Sequence, residues 1–172
     1  MTSLTIRFAE PADASLIADI SRKTFYDTFA AVNTPEDMHA FMSEQFSREA
    51  LMKEVLNNDG IFLLAYLGEE LAGYVRMREG EKHPIFMNHP SIEIARIYVD
   101  AGFIGKNVGG RLMEECIRMA KEMNRAILWL GVWEHNDRAI AFYTKWGFEK
   151  FGEHEFVLGT DIQTDWLMKK EL

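Results

Sequence analysis

The chain has 172 residues, 48% of them hydrophobic and 27% charged; this suits one globular domain whose core needs neither metals nor disulfides. Nineteen Lys and Arg against 27 Asp and Glu give a formal net charge of -8, which argues against a general nucleic-acid binder and is compatible with cationic substrates, although solubility alone accounts for it. A single cysteine, Cys116, excludes an internal disulfide framework and a Cys-rich zinc site.

Residues 1–10 include Arg7 and Glu10 and do not read as a signal peptide. The apolar runs fall far short of the ~20 residues that span a membrane, so a cytoplasmic protein is expected. Leu4-Thr5-Ile6-Arg7-Phe8 alternates as a strand. Residues 13–29 carry Leu16, Ile17, Ile20, Phe25 and Phe29 at mostly helical spacing. Thr34 caps a helix with Pro35 at its first position, running to about Phe46. Ser47 caps another that ends near Gly60. Residues 61–67 and 71–77 flank Gly68-Glu69-Glu70 as a hairpin. Residues 78–90 read as a loop and 91–99 as a strand. A helix begins at Asn107 or Val108 and runs to Met123. Residues 127–133 form a near-continuous apolar strand, the pattern of one buried on both faces. Asn136 caps a short helix through Trp146 that Gly147 closes. Residues 148–158 and 162–168 complete the chain as strands. With no repeat or linker, the expectation is one mixed α/β domain over residues 1–172, in which the crossover at 91–133 sets two strands parallel.

Inside that crossover lies Gly102-Phe103-Ile104-Gly105-Lys106-Asn107-Val108-Gly109-Gly110-Arg111. Glycines permit a sharp turn and close approach to a ligand, and the following helix offers free N–H groups with a positive dipole end. The segment is therefore either a phosphate site or a tight turn with no ligand. A Walker loop fails because Arg111 and Leu112 stand where Lys and Ser/Thr belong, and the dinucleotide fingerprint fails on glycine spacing.

From the segment Arg7-Phe8-Ala9-Glu10-Pro11-Ala12-Asp13 to Asn136 and the block Ala139-Ile140-Ala141-Phe142-Tyr143-Thr144-Lys145-Trp146-Gly147-Phe148, the chain resembles the GNAT superfamily of acyl-CoA-dependent N-acetyltransferases. Phe25-Tyr26-Asp27-Thr28-Phe29, Trp129-Leu130-Gly131-Val132-Trp133-Glu134 and Gln163-Thr164-Asp165 are similar to PaiA-type polyamine acetyltransferases. The resemblance implies a GNAT fold: a mixed, mostly antiparallel sheet with helices on both faces and a diverging parallel strand pair. It implies acetyl-CoA as cosubstrate and no metal, with the pyrophosphate held along Ile104, Gly105, Lys106, Asn107, Val108, Gly109, Gly110 and Arg111. Ile104 replaces the family's usual polar residue and Asn107 a glycine, although Asn tolerates positive φ. Backbone groups of Ile97, Tyr98 and Val99 would pair with pantetheine, Asn136 would contact that arm, and Tyr143 would face the sulfur. Tyr26, Asp27 and Glu134 would bind a small cationic amine such as spermidine or spermine. Acetylation of a protein N-terminus or another small amine is the alternative; a non-catalytic acyl-CoA-binding module is a third. No nucleic-acid or membrane partner is expected, and a homodimer is left open.

Acetyl transfer needs a neutral amine, and deprotonating an alkylammonium of pKa ~10.4 at pH 7 costs roughly 4 to 5 kcal/mol. Glu93, a carboxylate costly to bury in an apolar strand, is the candidate base; an ion pair with Arg96 or an exposed strand end is the rival reading. Tyr143 is the candidate acid for the departing thiolate, against a role as core aromatic. Cys116 lies on its helix's apolar stripe and reads as a buried, inert thiol. Direct attack in a ternary complex follows. The five histidines form no ligand cluster.

Overall fold

In the computed structural model, which describes residues 3–80 and 83–172, the alternating first segment is strand β1 (Leu4–Phe8) and the first helical pattern is α1 (Ala14–Phe29). Asp13, just ahead of that helix, is bound by Arg7 at 2.8 Å and accepts from the Glu10 amide at 2.7 Å, closing the turn at Pro11–Asp13 rather than capping α1. Thr34 and Ser47 do cap: their hydroxyls accept from the amides of Asp37 and Ala50, both at 3.2 Å, satisfying donors that a first helical turn leaves open. Helices α2 (Pro35–Glu44) and α3 (Arg48–Leu56) follow. Next come β2 (Ile61–Leu67), β3 (Glu70–Arg78), β4 (Ser91–Val99), α4 (Val108–Glu122), β5 (Ile127–Trp133), α5 (Asp137–Lys145), β6 (Glu149–Leu158) and β7 (Asp161–Glu171). The final strand runs three residues past its expected end, pairing Glu171 with Ile127. In the expected loop before β4, Pro84–Phe86 is a single 3-10 turn, and residues 81–82 lie outside the described residues.

All seven strands join one sheet in the order β1-β2-β3-β4-β5-β7-β6. Every neighbouring pair is antiparallel except β4 and β5, which is the GNAT architecture. Helix α4 lays Leu112, Met113, Cys116 and Ala120 on one face, against Val75, Ile92, Leu128 and Leu130. The opposite face receives Ile17 and Ile20 of α1 over Phe62, Leu64 and Tyr74. Beyond them, Phe25, Phe41 and Phe46 form an aromatic group with Leu51 and Leu158. Each such side chain contributes roughly 1.5–3 kcal/mol by leaving water.

The parallel pairing is short. It joins Ser91 to Ile127, Ile92 to Leu128 and Glu93 to Trp129, and then stops. Just beyond, β4 carries a bulge against β3: Arg76 faces Arg96, yet Met77 faces Ile94, leaving Ala95 as the extra residue. A bulge bends its strand and sharpens the local twist, so β4 leaves β5 while staying paired to β3 as far as Val99. It also restores facing, because Ile92 and Ile94 before it and Ile97 and Val99 after it all join the α4-side core. This corrects one expectation. Strand β5 is not buried on both faces: Leu128, Leu130 and Val132 are buried, but Gly131 is exposed and Trp129 and Trp133 are half-buried, because the divergence uncovers that second face.

Gly73 of β3 sits opposite Val99, and a Cβ there would lie 2.5 Å from the Tyr98 carbonyl and 3.4 Å from Val108. Backbone cannot yield as a flexible side chain does, so Gly73→Ala is expected to destabilise the protein by about 1–3 kcal/mol in urea unfolding.

Candidate active site

Where β4 and β5 separate, a groove of about 1120 Å³ opens, walled by Ile94 to Val99 on one side and Gly131 to Trp133 on the other. One edge of β4 remains bonded to β3; the other, at Ile97, Tyr98 and Val99, has no neighbouring strand among the described residues. That leaves backbone donors and acceptors free for an extended ligand to pair with. The Tyr98 side chain points elsewhere, edge-on to Tyr74 at 5.7 Å, and burial raises its phenol above the usual range.

At the α4 end the groove reaches Ile104, Gly105, Asn107, Val108, Gly109 and Gly110. Gly105 has φ +83 with open space where a Cβ would stand. Asn107 adopts the left-handed conformation, φ 61 and ψ 18, so the turn forms without glycine there. The Arg111 amide bonds the Asn107 carbonyl, whereas the amides of Val108, Gly109 and Gly110 meet no acceptor among the described residues. Three convergent N–H groups at a helix N-terminus make an anion cradle. The flanking cations behave otherwise than expected. Lys106 lies over the Phe103 ring at 4.9 Å and Arg111 pairs with Glu114 at 2.8 Å, and neither lines the groove; Arg138 and Lys145 of α5 do.

Helix α5 holds the two polar residues singled out from the sequence. Asn136 caps it through Oδ1, which accepts from the Ala139 amide at 3.2 Å. Its side-chain NH2 stays unengaged at the groove among the described residues. At the far end, Gly147 (φ +87) donates to Thr144 O at 2.9 Å and Phe148 to Tyr143 O at 3.1 Å, the double bond of a Schellman cap. That cap fixes the turn bearing Tyr143, which lines the groove and is only 8% exposed. Burial, with the adjacent Cys116 thiol adding to it, pushes the Tyr143 phenol up, so it keeps its proton throughout the physiological range.

On the α1 side the wall is aromatic: Phe29, Phe41, Phe46, Phe156 and Trp133 line it with Asp27, Arg96, Gln163 and Asp165. Arg96 is matched by Glu54 in a two-bond pair at 2.6 and 3.0 Å, and Asp27 by Lys23 at 3.0 Å. Gln163 Nε2 donates to Asn33 at 2.6 Å. Other expected residues lie elsewhere. Glu93 is on the last paired position before the divergence, held by Arg78 at 2.5 Å and absent from the lining; it is an ion-pair carboxylate, and its partner is Arg78 rather than Arg96. Tyr26 is 55% exposed, and Glu134 lies beside His135 at 3.6 Å; neither lines the groove. Asp165 carries no signal of the kind that singled out Glu93, because it follows Asp161, Gln163 and Thr164 in a strand of mixed polarity. Arg138 and Lys145 gave no signal, since charges on a short surface helix are ordinary.

Among the described residues no group of three His, Cys, Asp or Glu stands close enough to hold a metal, and no helix is long and apolar enough to cross a membrane.

The sequence profile of the acetyltransferase (GNAT) family matches residues 20–148. An uncharacterized N-acetyltransferase in the pepI 3' region of Lactobacillus delbrueckii subsp. lactis is 37% identical over all of this chain and 99% of its own length. The spermidine N(1)-acetyltransferase of Thermoplasma acidophilum is 25% identical over 86% of this chain and 89% of its own. Among solved structures, the PaiA N-acetyltransferase of Thermoplasma acidophilum in complex with coenzyme A superposes with a TM-score of 0.78 at 22% identity, covering 99% of both chains; at that identity the likeness bears on the fold.

Cys116 is fully buried and its thiol is pushed up to about 12, chiefly by burial. Because the thiolate is the reactive form, iodoacetamide at pH 8 is expected to leave the native protein unmodified and to label it fully in denaturing urea. Mass spectrometry reads both.

Proposed function

Since the chain belongs to the acetyltransferase (GNAT) family and is an acetyl-CoA-dependent N-acetyltransferase, we propose that it transfers the acetyl group directly to a polyamine such as spermidine or spermine, with both substrates bound in one groove. The observation that carries this reading is the groove's polarity: an anion cradle and free strand edge at the α4 end, an aromatic wall with two carboxylates at the α1 end. A polyamine is a flexible apolar chain with ammonium groups along it. Aromatic faces attract such groups, and Asp165, with no Lys or Arg partner among the described residues, offers opposite charge. Glu54 pairs with both Arg96 and Arg76, and Asp59 pairs with Arg76, so two carboxylates balance the two buried cations on this side. The relative named for spermidine supports the same class.

The roles of the chain's own groups follow. The amides of Val108, Gly109 and Gly110 hold the pyrophosphate, with Gly105 and Asn107 shaping the turn. Arg138 and Lys145 supply the nearby positive charge. The free edge at Ile97, Tyr98 and Val99 takes the pantetheine amides as an added strand, and the unengaged NH2 of Asn136 reaches the same arm. This orients the thioester between Tyr143 and the acceptor amine. As the amine forms its bond to carbon and the C–S bond breaks, the Tyr143 hydroxyl donates its proton to the departing sulfur. Its raised proton affinity keeps the hydroxyl protonated until the thiolate appears. Buried Cys116, protonated at neutral pH, takes no part, consistent with transfer without an acyl-enzyme.

Following free CoA release over a panel of amines tests the acceptor. Spermidine and spermine are expected to give the highest kcat/KM; a higher value for peptide N-termini would reassign the substrate, and no turnover with any amine would leave only acyl-CoA binding. Tyr143→Phe is expected to lower kcat by about 10²-fold while leaving the CoA dissociation constant within about twofold. Single-turnover kinetics and calorimetry separate the two effects.

A further inference from the structure

The reaction described leaves the acceptor's own proton without a recipient. Glu93 is engaged by Arg78 away from the groove, and Asp27 by Lys23, which also holds Asp100 at 2.8 Å. One carboxylate differs. Asp165, in the middle of β7, faces Trp133 of β5 on one side and His154 of β6 on the other. Its side chain is 18% exposed and lines the groove, and among the described residues it has no Lys or Arg partner, only a long contact with an imidazole. Its one charged-type neighbour among the described residues is His154, with Nε2 3.5 Å from Oδ2. Gly131 stands beside both groups: a Cβ on that residue would lie 3.8 Å from Asp165 Oδ2 and from His154 Nε2, in van der Waals contact with each, so the absence of a side chain there leaves the carboxylate uncovered. A carboxylate so placed is costly to bury unless a cation completes it.

Resting on the acetyl-CoA-to-amine reading, we infer that Asp165 is the catalytic residue that binds the acceptor's ammonium and removes its proton, with His154 passing that proton to water. The protons balance. Asp165 takes one from R–NH3+, leaving R–NH2 and a neutral carboxyl, and His154 returns the carboxyl to its charged form through solvent. The freed lone pair forms the C–N bond as the C–S bond breaks. The nitrogen then gives up a second proton to solvent, matching the one Tyr143 lends the thiolate and regains. One proton is released net per amide formed. Other charged or titratable groups face the groove: Asp27, Arg96, Tyr98, Arg138, Tyr143 and Lys145. The cations Arg138 and Lys145 belong to α5, and Arg96 is paired with Glu54. Burial lifts the proton affinity of Asp165 and His154 opposes it, which brings the carboxylate nearer to that of an amine desolvated against aromatic walls.

The test is the pH dependence of kcat/KM for the best amine of the wild-type panel, corrected for that amine's own ionisation. Asp165→Asn is expected to lose about 10²–10³-fold at neutral pH, with CoA affinity within about twofold of wild type. The deficit should shrink as pH rises, because free amine then enters already deprotonated. Activity within about threefold of wild type, or a loss equal at every pH, would overturn the assignment, the second marking a purely structural role. His154→Gln, at a half-exposed position that tolerates change, checks the pair without relying on the first variant folding. Removing the imidazole contact that favours the carboxylate should move the acid limb of the profile to higher pH, and an unmoved limb would equally overturn the inference. Failure of the polyamine reading shows in the wild-type panel instead, so the two are told apart.

Discussion

Three residue pairs of parallel hydrogen bonding, ending at Glu93 and Trp129, are the constraint on which the rest of the molecule depends. Had β4 and β5 paired along their length, there would be no groove, no free edge at Ile97 to Val99, and no exposed face at Gly131. The bulge at Ala95 is the local cause, and it acts twice: it bends β4 away from its parallel neighbour, and it returns Ile97 and Val99 to the buried side so that the bend exposes no apolar stripe. A sheet edge left open inside a protein invites pairing with any extended chain, and here the surrounding walls restrict what reaches it.

The chemistry is divided between the two sheet faces. Tyr143 belongs to the α4–α5 side and Asp165 to the wall facing α1, and the groove passes between them. Each is perturbed by burial in the direction that retains a proton, with different consequences for an acid and for a base. The net charge of -8 says little about this, since charge along the groove is organised locally: Arg96 is matched by Glu54 and Asp27 by Lys23, Arg138 and Lys145 stand on α5, and Asp165 has no Lys or Arg partner among the described residues.

The helices and strands were legible nearly residue by residue because their signals are local. Thr34, Ser47 and Asn136 mark starts, Gly147 marks a stop, and the alternation of β1 needs no partner to be read. The left-handed Asn107 was legible for the same reason, as a property of one residue type. What escaped depends on register. The bulge is a mismatch between β3 and β4, visible only when both are aligned, and the apolar run of β5 does not reveal that its second face lies open. Glu93 and Asp165 are both strand carboxylates, and their surroundings show only when pairing sets one beside Arg78 and the other beside His154. Lys106 and Arg111 looked like phosphate ligands by proximity in the chain, yet Phe103 and Glu114 were closer partners.

A sheet joined by so narrow a neck behaves as two arms. Strands β1 to β4 form one and β5 to β7 the other, and beyond Glu93 their separation is no longer governed by backbone bonding. It is set by what fills the wedge behind it: Leu112, Met113 and Cys116, completely buried and touching strands of both arms. Because a packed interior resists even a methylene's change in volume, these side chains act as a spacer that holds the two arms apart. The aperture is dimensioned by residues that never face it.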